Sequence, residues 1–266
     1  SLLMEFERMP DWALERARQR DPDSIFIAEA YDNDPSKLTD GNVMDALLAA
    51  GFTSVYDDPA YDLVKDIYDG GRWANDLDSL INNGDRFQRS LRYAENHDEV
   101  RLAAPDHWKG HGFDAGPAIS ALLFSLGQGP VMLYNGQELG ESARGAEGYG
   151  GDDARSSLFD YGSLPALVGW VSDHRYDGGG LGLQHLQLRR SYRAILQAAK
   201  HPVFAAGETV FLNPLNKDNP NFGQTEGPGA GGHWLAALER RAPDGSTLCV
   251  IVNLHPTLAL PGTRIQ

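Results

Sequence analysis

Four short apolar runs, each followed by a polar loop and most by a helix-length amphipathic stretch, constrain this chain more than any other feature. Ile25-Phe26-Ile27-Ala28 is the plainest run: β-branched and aromatic, apolar at consecutive positions, and preceded by the turn signal Asp21-Pro22-Asp23. A strand apolar on both faces belongs to a parallel sheet that is covered on both sides. Upstream, residues 4–19 read as an amphipathic helix opened at Pro10. Downstream the unit repeats: a helix over 38–50 leads to a strand over 51–56, and Asp58-Pro59 opens a helix that runs through Ile67. A third strand is expected over 91–94, then an apolar helix over 115–126 closed by Gly127. Gly129-Pro130 delivers a fourth strand over 131–134, and a helix over 181–199 closes the series with Leu188, Tyr192, Ile195, Leu196 and Ala199 on one stripe.

Such alternation predicts an α/β fold with a parallel sheet, and its long glycine-rich loops place function at the C-terminal ends of the strands. Four units are half of a closed (β/α)₈ barrel. After Lys200 the pattern changes, because strand-like runs over 206–212, 233–241 and 248–254 follow one another without a helix between them, with a turn at Pro243-Asp244-Gly245. The expected organisation is therefore a half barrel over residues 1–200 and a small antiparallel β domain over 201–266. Three or four strands are few for a sandwich, so the β domain is expected to be incomplete. The start at Ser1 reads as a sequence entered in the middle of an element.

Composition removes several function classes. Thirty-seven acidic against 23 basic residues give a formal charge of −14, which repels phosphate backbones and anionic lipid, so no nucleic-acid partner is expected. The nearly apolar stretch 118–134 is broken by Gly127, Gln128, Gly129 and Pro130 and cannot be a membrane span. The single cysteine, Cys249, excludes an internal disulfide and sits in an apolar run that suits a buried, inert thiol.

Chemistry gathers at two strand ends. Glu29 directly follows the first apolar run, where a barrel places its reacting groups, although an acid in that position also suits a helix cap or an ion pair. The end of the third run carries Glu95-Asn96-His97-Asp98, a density of costly polar groups that folding alone rarely explains.

These segments, taken together, resemble glycoside hydrolase family 13, the α-amylase family. Phe26-Ile27-Ala28-Glu29-Ala30 resembles its fifth-strand motif, which carries the proton donor. Glu95-Asn96-His97-Asp98 resembles the seventh-strand motif that ends in the transition-state-stabilising aspartate. The segment from Gly129 to Glu138 is similar to the eighth-strand region, and Gly151-Asp152-Asp153-Ala154-Arg155-Ser156-Ser157 to the loop beyond it. The resemblance implies a retaining mechanism on α-glucans, with Glu29 as acid/base, Asp98 as stabilising carboxylate, and His97, Tyr31, Asp153 and Arg155 as substrate-binding residues. It also implies a nucleophilic aspartate on a fourth strand, which this sequence does not contain, so the chain by itself is expected to be inactive. A transglycosylase of the same family and a non-catalytic, carbohydrate-binding or scaffold relative are the alternatives.

Asn96 is expected to support the turn, and Glu138 and Glu141 to accept hydrogen bonds from loop amides. Tyr31, Tyr56 and Trp108 are candidates for stacking on sugar faces. No metal site is expected. Asp32-Asn33-Asp34 starts like a calcium loop but has Lys37 at the turn position that needs glycine, and no His-x-x-x-His pair occurs. No cofactor is therefore expected within the chain, and any structural calcium belongs to the full-length protein. Gly227-Pro228-Gly229-Ala230-Gly231-Gly232 satisfies a dinucleotide-binding spacing but follows no strand, and reads as a loop. Two open edges of a half barrel invite self-association.

Overall fold

The four apolar runs form strands β1 (Ile27–Ala28), β2 (Ser54–Tyr56), β3 (Ser90–Tyr93) and β4 (Val131–Met132) of the computed structural model, which describes residues 9–29, 43–81, 84–146, 148, 153–156, 164–223 and 231–266. They pair in parallel in the order β1-β2-β3-β4, with Ile27 opposite Ser54, Val55 opposite Ser90 and Arg92 opposite Val131. Around this arc lie the helices α1 (Met9–Arg20), α2 (Val43–Ala49), α3 (Asp58–Asp69), α4 (Gly112–Leu126) and α5 (Leu183–Ala199). Pro10 falls in the first turn of α1, where its missing N–H costs nothing. Residues 38–42, the expected start of α2, lie outside the described residues, as do Asp32-Asn33-Asp34 and most of the glycine-rich stretch over 227–232.

Helix α3 shows how local chemistry sets the geometry. Asp57, directly after β2, accepts a hydrogen bond from Ala60 N at 3.3 Å, and Pro59 occupies the first turn, so the helix starts where the strand ends. Its buried stripe of Ala60, Tyr61, Val64, Ile67 and Tyr68 packs on Leu91, Tyr93 and Trp108 in the central core. Arg92, buried on β3, places Nε 2.6 Å from Asp57 Oδ2 and so ties this cap to the neighbouring strand. At β4, a Cβ on Gly129 would stand 2.1 Å from the Ser90 carbonyl oxygen, so only glycine admits this approach to β3.

The edge strand β1 is the least covered of the four. Ile25 is 70% and Ile27 43% exposed, and only Ala28 of the β1 run is buried. Among the described residues β1 is paired on one side only, with β2, and the cover that its continuous apolarity anticipates is not among them.

Beyond α5 and a short helix, Pro202–Ala206, the chain forms an antiparallel sheet of β5 (Glu208–Phe211), β6 (Leu235–Arg241) and β7 (Thr247–Asn253), in that order. Its inner face, with Phe211, Ala236, Leu238 and Val252, joins the core of the parallel half. Arg240 crosses this seam fully buried. Its Nη1 donates to the carbonyls of Ser125 at 3.0 Å, Leu126 at 2.6 Å and Gly127 at 2.9 Å, and its Nη2 to those of Phe204 at 3.1 Å and Gly207 at 2.7 Å. The guanidinium thereby satisfies carbonyls at the ends of two helices, where the helix dipoles favour a cation. Burial lowers its pKa to about 10, and the group remains charged at neutral pH.

Cys249 is a correction, because it is exposed rather than buried. Among the described residues strand β7 pairs only with β6, and period-two alternation turns Val252 inward and Cys249 and Ile251 outward. No helix of the described residues is long and apolar enough to cross a membrane.

Candidate active site

The carboxyl ends of the parallel strands open on one face, and three strand-end acids meet different fates there. Asp57 after β2 is spent on the helix cap and on Arg92. Glu95 after β3 points into the core, where it is 1% exposed, takes hydrogen bonds from Arg101 Nη1 at 2.8 Å and from Leu102 N at 2.7 Å, and is pushed up to about 6 by burial. Arg101 is held in turn by the Asn135 carbonyl at 2.9 Å and by Ser156 Oγ at 2.8 Å from its Nε, with its guanidinium 4.3 Å from the centre of the Tyr134 ring. Glu95 is thus part of the framework that shapes the mouth.

Glu29 remains at the opening. Asn96, buried, accepts hydrogen bonds on Oδ1 from the backbone N–H of Asp98 at 2.8 Å and of Glu99 at 2.9 Å, the turn-building role expected for it. That turn presents His97 and Asp98 to the end of β1. His97 Nε2 lies 3.2 Å from Glu29 Oε1 and 3.4 Å from Asp98 Oδ2, and the three ligating atoms lie within 4.8 Å of one another. The side chains of Glu29 and Asp98 are about one-third exposed, at 36% and 35%, so the pair is open to a ligand yet partly screened from water. Chemically, the group can pass a proton between two carboxyls and an imidazole, and hydroxyl groups can bridge it. The same spacing also suits a divalent cation taking two oxygens and one nitrogen.

Tyr56, at the end of β2, stands beside this trio: burial, and then the charges of Glu29 and Asp98, hold its phenol above its ordinary value, and Tyr134 adds to the effect. Its ring lies 5.4 Å from that of Tyr93. Trp108, by contrast, is fully buried against Tyr61 and Tyr68, each ring at 5.8 Å, and so packs the core instead of meeting a ligand. Tyr31 lies outside the described residues. Arg155 donates its backbone N–H to Asp153 Oδ1 at 3.1 Å and approaches Oδ2 through Nη1 at 3.9 Å, a loose and partly solvated pair. Asp153 also lines a cavity of about 250 Å³ with His107, Ser142 and Arg144.

Glu141 behaves as its position suggested, accepting from the amides of Ser142 at 3.0 Å, Ala143 at 3.2 Å and Ala166 at 2.9 Å. Glu99 is a carboxyl near the mouth that the sequence reading passed over. Burial raises it against a hydrogen bond with Tyr61, and Arg155 lies close enough to lower it. Its one signal in the sequence was direct adjacency to Asp98.

No protein-family model and no curated protein matches the sequence. Solved structures do match. An α-amylase from H. orenii superposes with a TM-score of 0.58 at 18% identity, over 92% of this chain and 46% of that one. CldA, a cyclomaltodextrin glucanotransferase with a three-domain ABC distribution, superposes with a TM-score of 0.58 at 13% identity, over 93% of this chain and 42% of that one. The chain therefore spans less than half the length of these structures. Its fold is the second half of a (β/α)₈ barrel followed by a small antiparallel β domain, similar to the corresponding part of these two structures.

Proposed function

We propose that this chain forms the acid-bearing half of a retaining active site for α-glucosidic bonds, with Glu29 as general acid/base. The observation that carries the reading is the convergence of Glu29, His97 and Asp98, from two different strand ends, within 4.8 Å. In the first step the Glu29 proton passes to the glycosidic oxygen as the bond from that oxygen to C1 breaks, and an aspartate carboxylate outside this sequence bonds to C1. In the second step Glu29 takes a proton from water, whose oxygen attacks C1 and releases the aspartate. Asp98 and His97 hold sugar hydroxyls and oppose the positive charge that builds on the ring. Tyr56 borders the sugar, and Tyr31, Asp153 and Arg155 contribute substrate contacts around it. Residues 1–200 supply the barrel half and residues 201–266 the β domain.

One carboxyl of the reacting pair is supplied here and its nucleophilic partner is not, so the chain alone leaves α-glucans intact. Incubating it with soluble starch and a chromogenic maltooligosaccharide tests this, and measurable turnover by the isolated chain overturns it. The reading requires no cofactor from these residues, and a zinc or calcium titration whose isotherm is abolished by Glu29→Gln would count against it. Transfer to a sugar acceptor is the second reading, supported by the likeness to a glucanotransferase as well as to an amylase. It uses the same three residues, and product analysis of the completed enzyme with added acceptor separates the two.

A further inference from the structure

At the seam between the parallel half and the antiparallel sheet, a cavity of about 480 Å³ is lined by Trp73, Asn75, Asp76, Asp78, Asn213 and Lys217. It lies at the other end of the parallel half from Glu29. Helix α3 starts at the mouth, after β2, and its 12 residues carry the chain about 18 Å toward the opposite face before Trp73 is reached.

Trp73 is built into place. Its indole stacks on His233 with ring centres 4.8 Å apart and planes 3° from parallel, and His233 stacks on Trp234 at 4.6 Å and 13°. Burial lowers the His233 imidazole, which keeps this pile of rings neutral. The backbone is fixed as well, because Ala74 N donates to the His233 carbonyl at 2.8 Å and Asn75 N to that of Gly232 at 3.2 Å. Asn75 Oδ1 accepts from Asn213 Nδ2 at 2.8 Å and its Nδ2 donates to the Gly231 carbonyl at 2.9 Å, so among the described residues one N–H and one acceptor position of that amide take no further partner. Asn213 is buried and its Nδ2 and Oδ1 also bind Leu235 O and Ala237 N, so it holds Asn75 rigidly.

A partly exposed indole held flat, beside an amide, an ammonium and two carboxylates, of which Asp76 also takes hydrogen bonds from Arg72 and the Trp73 N–H, matches the chemistry of a pyranose ring. The ring's C–H face covers the indole and its hydroxyls reach the polar rim. Asp76 and Asp78, on a chain of net charge −14, disfavour an anionic ligand. We propose that this seam cavity is a second carbohydrate site that holds a few units of a neutral glycan away from the mouth. That the glycan is an α-glucan rests on the functional reading above, whereas the site itself does not.

The test is native electrophoresis of the chain through gels containing amylopectin, xylan or mixed-linkage β-glucan, with Glu29→Gln, Trp73→Ala and Asp78→Ala variants. Wild type and Glu29→Gln are expected to be retarded by amylopectin, and Trp73→Ala to lose at least tenfold in affinity. Asp78 is exposed at the start of a short helix, and an Asp78→Ala variant whose melting matches wild type carries the test if Trp73→Ala melts early. Retardation that is sensitive to Trp73 in xylan or β-glucan but not in amylopectin keeps the site and overturns the α-glucan reading. Retardation by none of the polymers, or retardation that neither variant weakens, overturns the site.

Discussion

At the scale of single residues, the strand-end acids show that position alone does not assign a role. Glu29, Asp57 and Glu95 each follow a short strand, yet only Glu29 is left facing solvent beside an imidazole and a second carboxylate. Glu95 is the sharpest contrast, because its acidity is moved by burial and its charge is absorbed by Arg101. Replacing it with glutamine mimics the protonated carboxyl that burial favours and keeps an acceptor for Leu102 N, so a loss in urea unfolding below the roughly 3–5 kcal/mol of a stranded buried charge is expected. The pH dependence has a defined sign. A carboxyl raised from 4.5 to about 6 in the folded state contributes stability that is complete below pH 4.5 and lost as the pH rises through 6. Glu95→Gln should therefore remove a decline in stability between pH 4.5 and 6. An unchanged profile would show that Arg101 cancels the effect of burial.

At the scale of elements, the alternation of apolar runs with helical stripes was legible because parallel strands between helices leave so plain a pattern. Ser54–Tyr56, Ser90–Tyr93 and the stripe on α5 all fall where the sequence puts them. The turn role of Asn96 and the amide-binding role of Glu141 were legible too, since both follow from short-range hydrogen-bonding chemistry. What could not be read was which face of an apolar run meets cover. Ile25 and Cys249 both lie in such runs and both are exposed, Cys249 on an edge strand and Ile25 just before one, and edge status depends on pairings remote in sequence. Trp108 was misread for a related reason, because a loop aromatic becomes core when α3 packs over it. Arg240 carried no local signal at all: its partners lie more than a hundred residues earlier and about thirty-five residues earlier in the chain. Arg240→Met should strip the helix ends of that donor and cost at least about 3 kcal/mol. Arg240→Lys should recover only part of the loss, because an ammonium lacks the planar fork. Thermal or urea melts compare the three, and equal stability would contradict the capping role.

At the scale of the whole molecule, the parallel sheet is an arc with an end strand on each side. Strand β1 has Ile27 exposed, with exposed Ile25 just before it, and near β4 a cavity of about 670 Å³ sets Val131, Leu133 and Leu196 among Glu138, Arg189, Arg193 and Lys200. Unsatisfied strand edges beside apolar surface favour pairing with another chain. Light scattering is expected to give a dimer or larger species, and a monodisperse particle of 29.0 kDa contradicts that. On the proposed function, what completes the site is a carboxylate nucleophile about 5 to 5.5 Å from Glu29, the separation of a retaining enzyme. The central claim is that Glu29 delivers the proton to the leaving oxygen. It is tested most directly by kcat/KM of the completed enzyme and its Glu29→Gln variant on two substrates, a maltooligosaccharide and a maltosyl fluoride whose leaving group needs no proton. The account predicts a fall of about 10²- to 10⁴-fold on the oligosaccharide and less than about tenfold on the fluoride. Equal losses on both substrates, or none on either, would contradict it.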